Sequence, residues 1–129
     1  MLDDKIKALA KGPNYGTIST LLRDGTPVTH VMWVDADDTH MIINTEIHRA
    51  KFKNIQRDPR ASVVVWDTGN PYRYGEVRGS VVEVITGPEA RQHIDDLSMK
   101  YMGKPYDPDA ITSERVILKI APDRQRPPR

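Results

Sequence analysis

Short β-favouring segments separated by turn residues run through most of this chain, and this pattern constrains its fold more than any other feature. The segment Tyr15 to Leu22 is followed by the turn sequence RDGTP, whose Asp-Gly pair is typical of a tight hairpin, and then by VTHVMWVDA. We therefore predict two antiparallel strands. A second polar turn at 35–39 precedes HMIINTE at 40–46, which we predict to be a third strand that completes a meander.

Further strands are predicted in the second half of the chain. Residues 61–67 are almost continuously apolar, which is typical of a strand covered on both faces. The sequence TGNPYRYG at 68–75 is predicted to be a loop, and residues 76–86 form a long strand in which Gly79 indicates a bulge or bend. The last strand spans 115–121, and the proline-rich basic tail at 122–129 is predicted not to join a sheet interior.

Helical segments are predicted between these strands. Ile6 and Leu9 lie at helical spacing in a leading helix at 3–11, which Gly12-Pro13 ends. The same spacing predicts a short helix at 48–57 and an amphipathic helix at 89–102. About six strands with small helices at their ends indicate one domain over residues 1–129, mainly β with short helices (α+β). We predict a closed or nearly closed antiparallel barrel rather than a doubly wound sheet.

Composition excludes several classes of function. The chain of 129 residues has no cysteine, which excludes disulfides, thiolate metal sites and thiol catalysis. A formal net charge of +1 gives no global field for binding nucleic acid. The apolar run Val63 to Trp66 is far shorter than the roughly 18 residues of a membrane helix. We predict a soluble, cytoplasmic protein with neither a nucleic-acid nor a membrane partner, and the 38% hydrophobic content predicts that a subunit interface supplies part of the core.

Motifs of metal and hydrolytic chemistry are missing from the sequence. No two of its four histidines, His30, His40, His48 and His93, have the spacing that builds a metal face, so no metal site is predicted. There is no Gly-x-Ser-x-Gly elbow, no GxGxxG and no Walker loop. These absences point away from hydrolases and from the common dinucleotide and triphosphate sites.

Basic residues are concentrated at one predicted strand-to-helix junction. They are Arg49, Lys51, Lys53, Arg57 and Arg60. Free N–H groups at a helix start, together with basic side chains, form an anion site suited to one phosphate. By itself the charge run fits a solvated helix face equally well. A flat aromatic ligand could be lined by His30, Trp33, Trp66, Tyr72 and Tyr74, although aromatic residues in strands more commonly pack in a core or an interface.

Four blocks of sequence carry a resemblance to a known family. They are GTISTLLRDGTPVTHVMWV, MIINTE, RAKFKNIQRDPRASVVVWD and NPYRYGEVRGSVVEV, within roughly residues 3–121. Together they resemble the split β-barrel oxidoreductases related to pyridoxamine phosphate oxidase, and are most similar to the branch that uses the deazaflavin coenzyme F420. The resemblance implies a six-stranded antiparallel split β-barrel that forms a homodimer, with the cofactor in a groove along the interface.

The resemblance also implies which residues bind the cofactor. Arg49 and Lys51, with Ala50 between them, match the positions that hold the cofactor phosphate, and Asn54 follows one turn later. The residues that match the segments beside the ring and the ribityl chain are Thr29, His30, Val31, Met32 and Trp33, then Asn44 and Thr45. Tyr72 and Tyr74 match a loop that reaches the partner's site, with an ordinary interface role as the alternative. Lys53 is interpreted as only solvated.

The chemistry that the resemblance implies is hydride transfer between reduced F420 and an electron-poor small molecule, such as an activated alkene or a quinone. No protein nucleophile is needed, because the cofactor carries the reaction. No catalytic residue is identified, but His30 is a candidate proton donor because histidine titrates near neutral pH, with packing as the alternative role. FMN is the alternative cofactor, and a non-catalytic flavin or F420 carrier is the alternative function.

Overall fold

The computed structural model describes residues 1–129 and is mainly β, as predicted. Its strands are β1 (Tyr15–Leu21), β2 (Pro27–Trp33), β3 (Asp35–Ala36), β4 (Met41–Glu46), β5 (Arg60–Asp67), β6 (Asn70–Ile85) and β7 (Arg115–Arg126). Its helices are α1 (Asp4–Lys11), α2 (Ala50–Arg57) and α3 (Pro88–Met102), with a 3-10 turn at Pro108–Ala110. The sheet has seven strands rather than the predicted six, since the predicted second strand is divided at Val34 into β2 and β3.

The order of the strands explains the curvature of the sheet. All seven form one antiparallel sheet in the order β2-β1-β5-β6-β7-β4-β3. β2 and β3 are its two edges, yet only the buried residue Val34 separates them along the chain. Neighbouring Cα atoms are about 3.8 Å apart, so the end of β2 and the start of β3 must lie close together at this residue. The sheet therefore curls, although its two edge strands do not pair. The result is a half-barrel, and we call the unpaired gap between β2 and β4 the split.

The predicted meander is correct for its first two strands and wrong for the third. β1 and β2 form the expected hairpin, with Tyr15 opposite Trp33. The second neighbour of β1 is β5, whereas β4 pairs with β7 from Met41↔Ile120 to Glu46↔Arg115. Turn chemistry identifies a hairpin locally, but it carries no information about a partner strand near the other end of the chain.

Two segments that were predicted to lie outside the sheet are largely strand. β6 begins at Asn70 rather than after the predicted loop, and β7 continues through the predicted tail to Arg126. The tail pairs with β6 from Gly79↔Pro122 to Glu76↔Arg126. Pro122 is tolerated because β4 pairs with β7 only as far as Ile120, so the tail has a single neighbouring strand.

The predicted irregularity at Gly79 is confirmed. The pairing register of β6 and β7 shifts between Arg78 and Gly79. A Cβ atom at position 79 would lie 1.8 Å from the backbone oxygen of Ala121, so only glycine permits the two strands to approach this closely.

The main core fills the inside of the half-barrel and is covered by α1 and α2. Ile6 and Leu9 of α1 and Phe52 and Ile55 of α2 belong to it, as their helical spacing predicts. On β5, buried Ala61, Val63 and Val65 alternate with half-buried Ser62, Val64 and Trp66. The prediction that this strand is covered on both faces is therefore wrong for a single chain, which covers one face and leaves the other partly open.

Helix α3 packs on the outer face of β4 and β7. Ala90 forms a small apolar cluster there with Ile42 and Ile117. Side chains two residues apart on a strand share a face, so this outer face also carries Asn44 and Arg115. None of the three helices has both the length and the apolar character that are needed to span a membrane.

Candidate functional site

A pocket of about 280 Å³ lies where the split meets α3. It is lined by side chains from several elements, namely Met32 and Trp33 of β2, Asn44 of β4, Arg115 of β7, Ile94 and Leu97 of α3, and Tyr106. Three of these, Met32, Trp33 and Asn44, were predicted as site residues. Folding therefore brings the two strand segments singled out by the sequence to one cavity.

Aromatic rings form one wall of this pocket. The Trp33 ring is stacked on that of Tyr101, with ring centres 5.1 Å apart and planes inclined by 5°. Tyr106 meets Trp33 edge-on at 6.1 Å, and the guanidinium of Arg115 lies 5.5 Å from the centre of the Tyr106 ring. These contacts hold the rings in a fixed arrangement that suits a flat, conjugated ligand.

Asn44 is held by three hydrogen-bond partners. Its Nδ2 donates to the backbone oxygen of Ala90 at 3.0 Å and lies 3.1 Å from Nδ1 of His93. Its Oδ1 accepts a hydrogen bond of 2.7 Å from Nε of Arg115. The side chain of Asn44 is therefore fixed in the wall of the pocket.

A buried ion pair sets the position of Arg115. Its NH1 donates to Oε1 of Glu46 at 3.0 Å, and the side chain of Glu46 is only 1% exposed. Burial would raise the pKa of Glu46, but hydrogen bonds from Thr112 and Ser113 to its carboxylate lower the pKa to about 2. Glu46 is thus ionised at neutral pH and anchors both Arg115 and the segment that leads into β7.

Arg49 and Lys51 lie at the start of α2, close to Arg115, and we call these three residues the basic corner. Burial lowers the pKa of Lys51, and the charges of Arg49 and Arg115 lower it further. The neighbouring carboxylate of Glu46 pairs with Arg115 and His48 instead. The first turn of α2, which begins at Ala50, has no side-chain cap for its N–H groups. The corner therefore combines two cations without a carboxylate partner, Arg49 and Lys51, with free backbone donors, which is the donor set that a phosphate requires.

His30 has an unpartnered nitrogen and lies on β2, the strand that also carries Met32 and Trp33 of the pocket. It lies two residues before Met32 on β2, so both side chains share one face. Its Nδ1 is buried and has no hydrogen-bond partner. A buried nitrogen without a partner, such as Nδ1 of His30, needs a bound group or a water molecule as its hydrogen-bond partner.

Thr45, another predicted site residue, is buried and follows Asn44 on β4.

Four other predicted residues lie away from the pocket in a single chain. Thr29 and Val31 are on the opposite face of β2, where Thr29 shares a hydrogen bond of 2.7 Å with Ser19 and Val31 is 68% exposed. Tyr72 is 90% exposed, and with Tyr74 it lines a separate small cavity beside the C-terminus. Any contact of these residues with the pocket requires a second copy of the chain.

Asn54 occupies a packing position rather than an open one. Its Nδ2 donates to Oγ1 of Thr20 at 3.1 Å, and its Oδ1 accepts from Arg57 at 2.9 Å. The residue is buried and joins α2 to β1. Lys53, by contrast, is exposed on the helix surface.

Sequence reasoning missed four residues that line the pocket, Ile94, Leu97, Tyr106 and Arg115, and also His93, which contacts Asn44 from outside it. Arg115 had a usable signal, since it directly precedes the apolar run at 116–118 and shares a face with Ile117. His93 and Tyr106 had none, because each meets the site only through the docking of α3 and the loop that follows it.

Comparisons with known proteins agree with this architecture. The family model described as pyridoxamine 5′-phosphate oxidase matches residues 2–127. A solved structure named F420 reductase is 31% identical, with a TM-score of 0.82, over 97% of this chain and 98% of that one. A conserved hypothetical protein from Mycobacterium tuberculosis is 26% identical, with a TM-score of 0.76, over 98% of this chain and 83% of that one. General stress protein 26 from Bacillus anthracis, at 22% identity and a TM-score of 0.69 over 95% of this chain and 89% of that one, shares the fold.

Proposed function

The chain belongs to the pyridoxamine 5′-phosphate oxidase family, and from this premise we propose that it is an F420-dependent oxidoreductase. The reaction would transfer a hydride between the reduced cofactor and an electron-poor small molecule, such as an activated alkene or a quinone. The similarity to the structure named F420 reductase supports F420 over FMN, which stays the alternative cofactor.

The observation that carries the proposal is that the amine of Lys51 is half-buried and unpaired. This half-buried amine has no carboxylate partner, and its pKa is lowered by burial and further by the charges of Arg49 and Arg115. Clustered cations repel one another, so their arrangement is favourable when an anion lies between them. The phosphate of F420 or FMN is such an anion, and Arg49 and Lys51 would hold it.

The pocket beside the basic corner fits the ring of the same cofactor. Trp33 and Tyr106 offer aromatic surfaces, while Asn44 and Arg115 offer polar side chains at fixed positions. A bound deazaflavin supplies a hydride at its ring. The residues of the chain bind that ring, orient it and exclude water from one of its faces.

We also propose that the working unit is a homodimer whose second copy completes the site. A pocket of about 280 Å³ is smaller than the roughly 300–1,000 Å³ of ordinary small-molecule sites. Exposed Val31 and the half-buried outer face of β5 form an apolar surface next to it. A partner on this surface would bury Val31 and would bring Tyr72 or Tyr74 of the second copy within reach of the cofactor.

Parallel titrations of the protein with F420 and FMN test the choice of cofactor. We expect saturable binding of both, with F420 bound more tightly. FMN bound at least tenfold more tightly, a difference of about 1.4 kcal/mol, would contradict the assignment to F420.

Hydride transfer distinguishes an enzyme from a carrier. Reduced F420 bound to the protein should be oxidised by a soluble quinone faster than free reduced F420, as followed by the recovery of deazaflavin absorbance. Tight binding without any acceleration for a panel of quinones and activated alkenes would instead indicate the carrier function.

A further inference from the structure

His93 lies outside the pocket but controls one of its walls through Asn44. Its Nε2 is 2.9 Å from Oδ2 of Asp35, and its Nδ1 is 3.1 Å from Nδ2 of Asn44. The side chains of His93 and Asp35 are only 13% and 19% exposed. A chain of hydrogen bonds thus runs from Asp35 through His93 and Asn44 to Arg115.

The orientation of the Asn44 amide follows from its other two partners. The backbone oxygen of Ala90 only accepts hydrogen bonds, and Nε of Arg115 only donates them. The NH₂ group of Asn44 must therefore face Ala90 and His93, while Oδ1 faces Arg115. One amide hydrogen points to Ala90 and the other to His93, so the group that Asn44 presents on its Arg115 side is an acceptor.

The same reasoning assigns the tautomer of His93. Because Nδ2 of Asn44 donates to it, Nδ1 of His93 carries no proton, and the ring proton of the neutral form is on Nε2. That N–H donates to Asp35, whose pKa is lowered to about 2: burial opposes this shift, and hydrogen bonds from His93, from the backbone N–H of Ala36 and from Lys11 outweigh it. Asp35 is consequently a permanent acceptor at neutral pH.

We propose that His93, hydrogen-bonded to Asp35, is a positioning residue that holds the amide of Asn44 together with Ala90 and Arg115, so that the pocket selects a ligand group that donates a hydrogen bond to Oδ1 of Asn44. The inference deepens the proposed function and rests on it, since the imide N–H of a flavin or deazaflavin ring is a donor of this kind. It assigns to Asn44 and His93 a part in specificity that is separate from phosphate binding by Arg49 and Lys51.

Protonation of His93 opposes this arrangement. A proton on Nδ1 would face the NH₂ group of Asn44, and turning the amide would place its Oδ1 against Ala90 and its NH₂ against Arg115. The other charged groups around the imidazole are Asp35 of β3 with Lys11 of α1 behind it, Glu89 and Asp96 of α3, and Lys119 of β7. The adjacent Asp35 compensates the positive charge of the imidazolium. We therefore expect the lost orientation of Asn44 to outweigh any electrostatic effect of that charge on the ligand, so that ligand affinity decreases as the pH decreases.

Two substitutions at position 93 separate the roles of the two ring nitrogens. An asparagine side chain reaches the position of Nδ1 and supplies an acceptor to Asn44, whereas a glutamine side chain reaches the position of Nε2 and contacts Asp35. His93→Asn should therefore keep wild-type affinity for F420 within about twofold. His93→Gln should weaken that affinity about three- to tenfold, the range for a hydrogen bond that loses its geometry.

The pH dependence is the readout that a purely structural role would not change. As the pH is lowered from about 8 to about 5, wild-type affinity for F420 should fall about three- to tenfold, while His93→Asn should show no such fall. FMN serves as a second probe, compared only between wild type and His93→Asn, since its own phosphate ionises in this range. Equal effects of His93→Asn and His93→Gln, or the same pH profile in wild type and His93→Asn, would overturn the proposal.

A measurement without cofactor keeps the inference distinct from the proposed function. Nitrogen NMR of the imidazole should show that the neutral form of His93 carries its proton on Nε2. A proton on Nδ1 would refute the positioning role. If neither F420 nor FMN binds to the wild-type protein, the proposed function fails and the role in specificity with it, whereas a proton on Nε2 would still establish the Asp35–His93–Asn44 hydrogen bonds.

Discussion

At the scale of single residues, burial and neighbouring groups shift the pKa in the same direction at Lys51 and in opposite directions at Glu46. Lys51 is a half-buried cation beside two others, so its pKa is lowered and it is stabilised by an incoming anion. Glu46 is a buried anion that already has its partners, and its hydrogen bonds hold its pKa at about 2. Lys51 is therefore available to bind an anionic ligand, whereas Glu46 stabilises the folded protein.

Lys51→Ala and Arg49→Ala should each weaken cofactor binding by roughly ten- to a hundredfold. A charge-assisted hydrogen bond to a phosphate contributes about 1.5–3 kcal/mol, and neither side chain is part of the core. Calorimetric titration with F420 measures the loss, and melting temperatures show whether the fold is intact.

Lys53→Ala is the matched control, since Lys53 is exposed on the same helix. Its removal should change the binding free energy by less than about 0.5 kcal/mol. Equal losses at positions 49, 51 and 53 would indicate a diffuse basic field instead of a phosphate site.

Glu46→Gln should reduce the free energy of unfolding at pH 7 by about 3 kcal/mol, because it leaves Arg115 buried without its counterion. The folded-state pKa of Glu46, about 2, lies below the ordinary glutamate value of 4.5. Ionised Glu46 therefore stabilises the fold fully above the higher value, and this contribution is lost as pH falls toward the lower one.

Urea unfolding at several pH values measures this contribution. The difference between wild type and Glu46→Gln should shrink as pH decreases from about 5 to about 3. Glu83→Gln, at an exposed position of β6, should show no comparable difference at any pH. A constant difference between wild type and Glu46→Gln would show that Glu46 acts through its shape and not through its charge.

At the scale of secondary-structure elements, the contact between β6 and β7 depends on one glycine. The two strands pair along most of their length, and the register shift at Gly79 lets β7 continue past Pro122. Gly79 thus determines whether the basic C-terminal segment is part of the sheet.

Gly79→Ala should reduce the free energy of unfolding by about 3 kcal/mol or more, since its Cβ would overlap the backbone oxygen of Ala121 at 1.8 Å and one strand must move. Chemical denaturation gives the value. Gly69→Ala is the control, because an added Cβ there has no neighbour closer than 3.4 Å. Similar stability of the two variants would show that β6 and β7 separate at little cost.

At the scale of the whole molecule, one face of the sheet is left without a cover. The inner face is filled by the core and α3 covers the outer face of β4 and β7, but on the outer face of β1, β2 and β5 the Tyr101 ring of α3 packs only against Tyr15 and Trp33, at the ends of their strands. Val31 on this face is 68% exposed, and the modest hydrophobic content of the sequence is in keeping with a core completed by another subunit.

We expect the protein to have the mass of a homodimer in light scattering at micromolar concentration. Val31→Lys should shift the population toward monomer and weaken F420 binding in parallel, because the site lies beside this surface. Val82→Lys is the control, since Val82 is 60% exposed on β6 beyond the residues that pair with β5. A monomeric wild-type protein, or full F420 affinity in a monomeric variant, would contradict the proposed site.

The sequence by itself determined the features that depend on neighbouring residues. Turn chemistry located the hairpin of β1 and β2, helical spacing located the core residues of α1 and α2, and the Arg49 to Lys51 block located the basic corner. It also carried the resemblance to the family that the comparisons show. These features were accessible because propensity, periodicity and charge clustering are local properties.

Only the tertiary structure decided which distant segments meet. It placed β4 beside β7, so that Asn44 contacts Arg115, and it docked α3 so that His93 lies between Asp35 and Asn44. It also assigned Asn54 to packing against Thr20. Strand pairing across most of the chain is selected by the energy of the complete core and by the closure of the half-barrel at Val34. No local pattern encodes either quantity, because each depends on side chains that are far apart in sequence.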